Sequence, residues 1–232
     1  MNNFELLKKK CKEIKIDAFE MLVSKGGGHF GGSFSCAEIL TSLFFNILRK
    51  KDKFIMSKAH ASVIMYSTFS KKKIINKKIL RSYGQENSLL GVHAEHDLLD
   101  SVEFSCGSLG HGLSHSCGLA LGYKKKKINV KIYCLIGDGE MQEGSIWEAL
   151  LFAAHHKLNN LYVILDYNKK QSSGLVKDIL NIEPIKTKVE KINDIPPKPN
   201  IKFWPVFSNK PVIRINVTTN NGIVQIKNLW SF

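Results

Sequence analysis

Apolar residues in the first fifty positions recur with the spacing of helices. Over residues 4–24, Leu7, Cys11, Ile14, Ala18, Met21 and Leu22 share one face of a 3.6-residue period, which predicts an amphipathic helix. Lys25-Gly26-Gly27-Gly28 then stops it, because glycine accepts the left-handed backbone that ends helices. Ser35-Cys36-Ala37-Glu38 has the form of a capping box and predicts a second helix to about residue 48. Residues 54–56 predict a short buried strand, from which Ser57-Lys58-Ala59-His60-Ala61-Ser62 leads into another helix. Residues 84–105 are polar and irregular. Gly107-Ser108-Leu109-Gly110-His111-Gly112 then enters a helix carrying Leu113, Cys117, Ala120 and Leu121.

The middle of the chain reads strand, turn, helix, strand, turn. Residues 130–136 are a β-rich run, followed by the turn Gly137-Asp138-Gly139. Residues 146–156 have helical spacing at Ile146, Leu150, Ala153 and Ala154, and residues 161–166 read as a second buried strand before Tyr167-Asn168-Lys169-Lys170. A parallel crossover of this kind brings both strand ends to the same edge of a sheet. Asp138 and Asn168 are therefore expected to face one crevice, although thirty positions separate them. A carboxylate, an amide oxygen and a nearby backbone carbonyl are hard ligands. They suit Mg2+ or Ca2+, with room left for phosphate oxygens. The glycines let backbone approach a bulky anion, and the helix N-terminus that follows favours negative charge. These residues by themselves point to a divalent metal holding a diphosphate.

Alternating strands and helices predict an α/β fold, a parallel sheet with helices on both faces and ligands beyond the carboxyl ends of the strands. Past Pro184 the pattern degrades. Ile195-Pro196-Pro197-Lys198-Pro199 is expected as a loop, since proline suits neither a helix interior nor a central strand. Residues 212–217 predict a last strand. The expected organisation is a core domain over residues 1–185 and a divergent tail over 186–232.

Composition narrows the class. The 232 residues suffice for one large domain with a tail. No apolar run reaches the roughly 18 residues of a membrane span, and Met1-Asn2-Asn3-Phe4-Glu5 has no signal-peptide pattern, so a cytoplasmic protein is expected. Five cysteines without a C-x-x-C predict buried free thiols. The net charge of +14 raises nucleic-acid binding. The lysine runs at 8–10, 71–73 and 124–127 are scattered and lack interleaved aromatics, so they read as solvated surface or as attraction for phosphorylated ligands.

Five motifs, in order, resemble the transketolase family. Gly137-Asp138-Gly139 with Asn168 is similar to the thiamine-diphosphate motif. Gly28-His29-Phe30-Gly31-Gly32 resembles the family's G-H-P-G-G, with Phe30 in place of proline. Asp52-Lys53-Phe54-Ile55-Met56-Ser57-Lys58-Ala59-His60-Ala61 resembles D-R-F-I-L-S-K-G-H-A. Gly91-Val92-His93-Ala94-Glu95 resembles the G-H-P-E region, and Phe104-Ser105-Cys106-Gly107-Ser108-Leu109-Gly110-His111-Gly112-Leu113 resembles F-x-T-G-S-L-G-Q-G-L. The likeness covers about residues 1–184. Towards the end, Lys210-Pro211 through Thr218-Thr219 resembles the family's last strand, whereas Asn220-Asn221-Gly222-Ile223 and Ser231 depart from it.

The resemblance implies roles. Asp138, Asn168 and the carbonyl of Lys170 would bind Mg2+. Gly137, Gly139 and His60 would approach the diphosphate of thiamine diphosphate, and Gly107 and Leu109 would line the cofactor pocket. His29 and His93 would face the thiazolium and the sugar hydroxyls, with His96 close enough to compete for the role of His93. Glu143, and more weakly Glu148, would lie in a carboxylate network where two protomers meet; read alone, Glu143 is also an acidic residue suited to a helix first turn. His111, His115, His155 and His156 are expected on the surface or in packing, and Trp147 in packing.

Family members need a second domain, whose glutamate activates the cofactor. The expectation is thus the N-terminal subunit of a split transketolase, working with a separate C-terminal subunit in a heterotetramer, on sugar phosphates. The alternatives are the N-terminal part of a 1-deoxyxylulose-5-phosphate synthase and a non-catalytic subunit that keeps the fold.

Overall fold

The computed structural model describes residues 3–193 and, along the backbone, residues 202–207. The chain divides into two units. One comprises residues 1–49 and 59–107, the other residues 50–58 and 108–232.

The first unit is helical. The expected amphipathic helix is α1 (Asn3–Ser24), which buries Leu7, Cys11, Ile14, Ala18, Met21 and Leu22. Gly26 and Gly27 close its end by donating to the carbonyls of Val23 and Leu22, and Gly26 is left-handed at φ 88°. A short helix α2 (Phe30–Phe34) follows, then α3 (Ala37–Ser42), which widens into a π turn over Leu43–Ile47. The expected capping box does not form. Ser35 lies beyond the end of α2, and its hydroxyl donates to the Gly32 carbonyl at 3.2 Å, which the Cys36 thiol also reaches at 3.5 Å. Cys36 becomes the residue before α3, and Glu38 pairs instead with Lys15 at 2.5 Å. The last α-helix here, α4 (Ser62–Lys71), which a 3-10 helix (Lys77–Ser82) follows, is buried from Ser62 to Ser70 and packs on α1 and α3. It is polar as well as buried, so its hydroxyls bond to backbone: Ser67 to Ile14 and Thr68 to Ile64, both at 2.8 Å.

The second unit is built on a parallel sheet, as expected. β1 (Lys53–Met56), β2 (Ile132–Gly137), β3 (Leu161–Tyr167) and β6 (Lys202–Phe207) lie side by side in that order. Between β3 and β6 come a small hairpin of β4 (Lys170–Gln171) and β5 (Gly174–Leu175) and two helices, α7 (Val176–Ile179) and α8 (Ile185–Asn193). All residues of β2 and β3 are buried, which explains their continuous apolar runs. The helix α5 (His111–Lys125) packs across β1, β2 and β3. The helix α6 (Gly144–His155) packs on α5 and α8. Register pairs Gly137 with Asp166, so β2 and β3 end level with each other.

The tail holds more regular structure than its pattern shows. The helix α8 and the strand β6 both fall in it, and Pro205 stands opposite Leu165 on the edge of the described sheet. An edge strand tolerates the missing N–H. The proline-rich loop at 195–199 and the strand at 212–217 lie outside the described residues. The five cysteines are free and buried. Among the described residues, no helix is long and apolar enough to cross a membrane.

Candidate functional site

In the second unit, the site begins where β2 ends. Asp138 follows Gly137 directly and is 2% exposed. One of its carboxylate oxygens accepts the Gly139 N–H at 3.0 Å, and the other accepts the N–H of Lys169, two residues past the end of β3. The two strand-end turns are thus tied together by Asp138 itself, as the crossover predicts. Lys169 holds φ 63°, and Asn168 beside it accepts the Lys170 N–H at 2.8 Å through Oδ1. Lys170 opens the hairpin β4–β5. A side chain at Gly139 would displace the Gln171 carboxamide and press on the Gln171 Cβ at 3.2 Å.

Burial pushes the Asp138 carboxyl up to about 6, against the pull of its two backbone donors, and the nearby Asp166 adds to the rise. A cation at this position would offset that cost. Among the described residues, no group of three His, Cys, Asp or Glu side chains is placed to hold a metal. The donor set present is one carboxylate, one amide and backbone carbonyls. That set fits a hard divalent ion whose remaining ligands come from phosphate and water, and it does not fit zinc.

Three buried charges around this turn escape a reading of the sequence as separate motifs. Lys58 is 1% exposed and Asp166 is fully buried, and they pair at 2.5 Å. Glu140, also buried, accepts from the Ser57 hydroxyl, from Gly110 N–H at 2.7 Å and from Gly137 N–H at 3.1 Å. Burial raises its carboxyl too, opposed first by the bond from Ser57. The available signal was a charged residue inside or just after an apolar strand, which burial permits only when it is paired.

Glu143 is exposed at the N-cap of α6 and makes no capping bond through its side chain. Trp147 is tethered by its indole N–H to the Met141 carbonyl at 2.9 Å. Leu109 is half-buried, before Gly110 turns left-handed into α5. His155 is exposed and meets the half-buried His156 edge to face, and His156 tilts against Phe152, a mix of surface and packing as expected.

The first unit gathers the remaining histidines. The His29 and His60 rings meet edge to face at 5.3 Å. Gly32 permits this geometry, because a side chain there would meet the His60 ring at 2.8 Å. Phe30, standing where the related motif has proline, stacks on Phe34 and tilts against Phe19. His93 is exposed on a loop pinned at both sides. The Ala94 N–H donates to Ser62 Oγ at 2.9 Å, and the Tyr66 hydroxyl donates to the Gly91 carbonyl at 3.1 Å. His96, also exposed, has its Nδ1 at 2.5 Å from the Val102 carbonyl. Gly107 ends this unit exposed, with open space around its Cα.

Comparison with known proteins agrees with this layout. Residues 7–192 match the family described as the transketolase thiamine diphosphate binding domain. One of the subunits of apulose-4-phosphate transketolase from Phocaeicola vulgatus is 35% identical over 191 residues, covering 78% of this chain and 68% of its own length. The protein of the same name from Actinobacillus succinogenes is 39% identical over 198 residues, with 81% and 72% covered. Among solved structures, transketolase from Campylobacter jejuni superposes with a TM-score of 0.75 at 30% identity, over 83% of this chain. This chain spans 32% of the length of that solved enzyme.

Proposed function

This chain belongs to the transketolase family, as its thiamine-diphosphate-binding domain, and from that premise we propose that it is the N-terminal subunit of a two-subunit transketolase. The supporting observation is the buried Asp138 at the end of β2, bonded to the turn that carries Asn168 at the end of β3. In this reading Asp138, Asn168 and the Lys170 carbonyl would hold Mg2+ and, through it, the diphosphate. Gly137 and Gly139 would admit the phosphate oxygens, Gly107 and Leu109 would line the cofactor, and His60 would donate to the diphosphate.

When bound, thiamine diphosphate supplies the thiazolium carbon that carries a two-carbon ketol unit from a ketose phosphate to an aldose. The chain's own part is to bind, orient and exchange protons. His29 and His93 would hydrogen-bond sugar hydroxyls and move protons, since neutral imidazole both donates and accepts near neutral pH. Glu143, exposed at the start of α6, would meet a carboxylate network where two protomers join.

A separate C-terminal subunit, in a heterotetramer, would complete the site. The support is that relatives named as single subunits of a transketolase match this chain over 68% and 72% of their own length. The relatives' names favour ketol transfer over the decarboxylating alternative, and five free thiols suit a cytoplasmic protein. Isothermal titration of thiamine diphosphate in the presence of Mg2+ tests the reading. Saturable binding is expected for the full chain, alone or with its C-terminal partner, and Asp138→Ala should abolish it. A folded chain that binds in neither condition would overturn the proposal.

A further inference from the structure

We propose that Glu140 is a positioning residue, whose carboxylate sets the Gly137–Gly139 turn against the N-terminus of α5 so that Asp138 is placed for the metal and its diphosphate. The inference rests on the reading of Asp138 given above.

Three chain segments end at this edge of the sheet, and each leaves a donor that needs a partner. They are the hydroxyl of Ser57 after β1, the N–H of Gly137 closing β2, and the N–H of Gly110 before the first turn of α5. One carboxylate collects all three. Glu140 stands two residues after Asp138 in the same 3-10 turn, Gly139–Gln142, where the Met141 N–H donates to the Asp138 carbonyl. Whatever holds the Glu140 carboxylate therefore holds the backbone that aims Asp138.

The fit around it is tight. A side chain at Gly112 would meet the Cα of Ser57 at 2.7 Å, and one at Gly110, which has φ 88°, would meet Ser145 Oγ at 2.2 Å. The glycines let α5 seat directly on the end of β1. Glu140 then locks that seat through bonds to an ionised acceptor, which are roughly twice as strong as neutral ones. A neutral amide of the same shape cannot replace it, because an amide NH2 would face at least one of the three donors.

The test uses the full chain with thiamine diphosphate and Mg2+ as probes. Each of Glu140→Gln, Ser57→Ala and Asp138→Ala is titrated calorimetrically at several Mg2+ concentrations, with far-UV circular dichroism to confirm folding. Glu140→Gln is expected to weaken thiamine diphosphate binding about tenfold, the scale of a lost hydrogen bond to a charged group. It should also raise the Mg2+ concentration needed for half-saturation. Ser57→Ala should do the same more weakly, and the double variant should lose no more than Glu140→Gln alone. A Glu140→Gln protein with a lowered melting temperature but an unchanged Mg2+ requirement would show a merely structural role and overturn the proposal. Equal binding by wild type and Glu140→Gln, with Asp138→Ala inactive in binding, would also overturn it while leaving the metal assignment intact. Should Glu140→Gln fail to fold, Ser57→Ala decides, and an unaltered Mg2+ requirement there counts against the proposal.

Discussion

The two units handle polar chemistry in opposite ways. In the sheet unit the charges around the candidate site are buried: Asp138, Glu140, Lys58 and Asp166 are all at most 2% exposed. In the helical unit the candidate histidines are wetter. His29 and His93 are exposed and His60 is half-buried, and they sit on short turns and a loop held by neutral bonds from Ser62 and Tyr66. The difference matches the tasks proposed for them. Holding a metal and a diphosphate needs fixed charges whose field water does not screen. Meeting sugar hydroxyls and exchanging protons needs imidazoles that a substrate can reach.

The comparison breaks most visibly at Lys58. Lys58→Met removes the buried cation that pairs with Asp166 and should lower the stability of the chain by about 3–5 kcal/mol, measured by urea unfolding. A loss below about 1 kcal/mol, the scale of an exposed pair, would mean that the sheet unit does not depend on its buried charges.

Asp138 gives the next effect, and its sign depends on pH. Its folded value, about 6, lies above the ordinary carboxylate value, so the folded state holds the extra proton between about pH 4 and 6. Stability without ligand therefore falls as pH rises through that window, and the full cost is present above about pH 6. Asp138→Asn turns an NH2 toward the Gly139 or the Lys169 N–H and should lose stability at every pH, but by up to roughly 3 kcal/mol less at pH 8 than at pH 4, because it carries no charge to bury. In the wild type, Mg2+-dependent binding should weaken as pH drops below about 6, because the ion must displace a proton. A pH-independent effect of Asp138→Asn would refute the assignment of the cost to burial of the charge.

The smallest effect belongs to the helical unit. Ser62→Ala removes one neutral bond to the His93 loop and should cost about 1 kcal/mol, seen as faster hydrogen exchange at Ala94. Exchange unchanged at Ala94 would show that the loop is held by Tyr66 alone.

The element order and the Asp138–Asn168 juxtaposition were legible because a parallel crossover has only one economical geometry. The ordered histidine and glycine motifs were legible as a family likeness. The cap of α3 falls at Cys36, one residue past the expected Ser35, whose hydroxyl turns back to the Gly32 carbonyl in a helix too short to show in the pattern. The helix α8 and strand β6 were obscured by prolines and a weak apolar pattern.

Sequence alone determined the types of elements, the identity of the candidate ligating side chains and the glycines beside them. These depend on local backbone preference and on chain order. Only the tertiary structure decided that Glu140 gathers donors from three segments and that Lys58 meets Asp166 across 108 positions. It also decided that Asp138 is buried deeply enough to resist ionisation. Pairing and desolvation are properties of neighbours in space, and a linear pattern records a charged residue without recording what surrounds it.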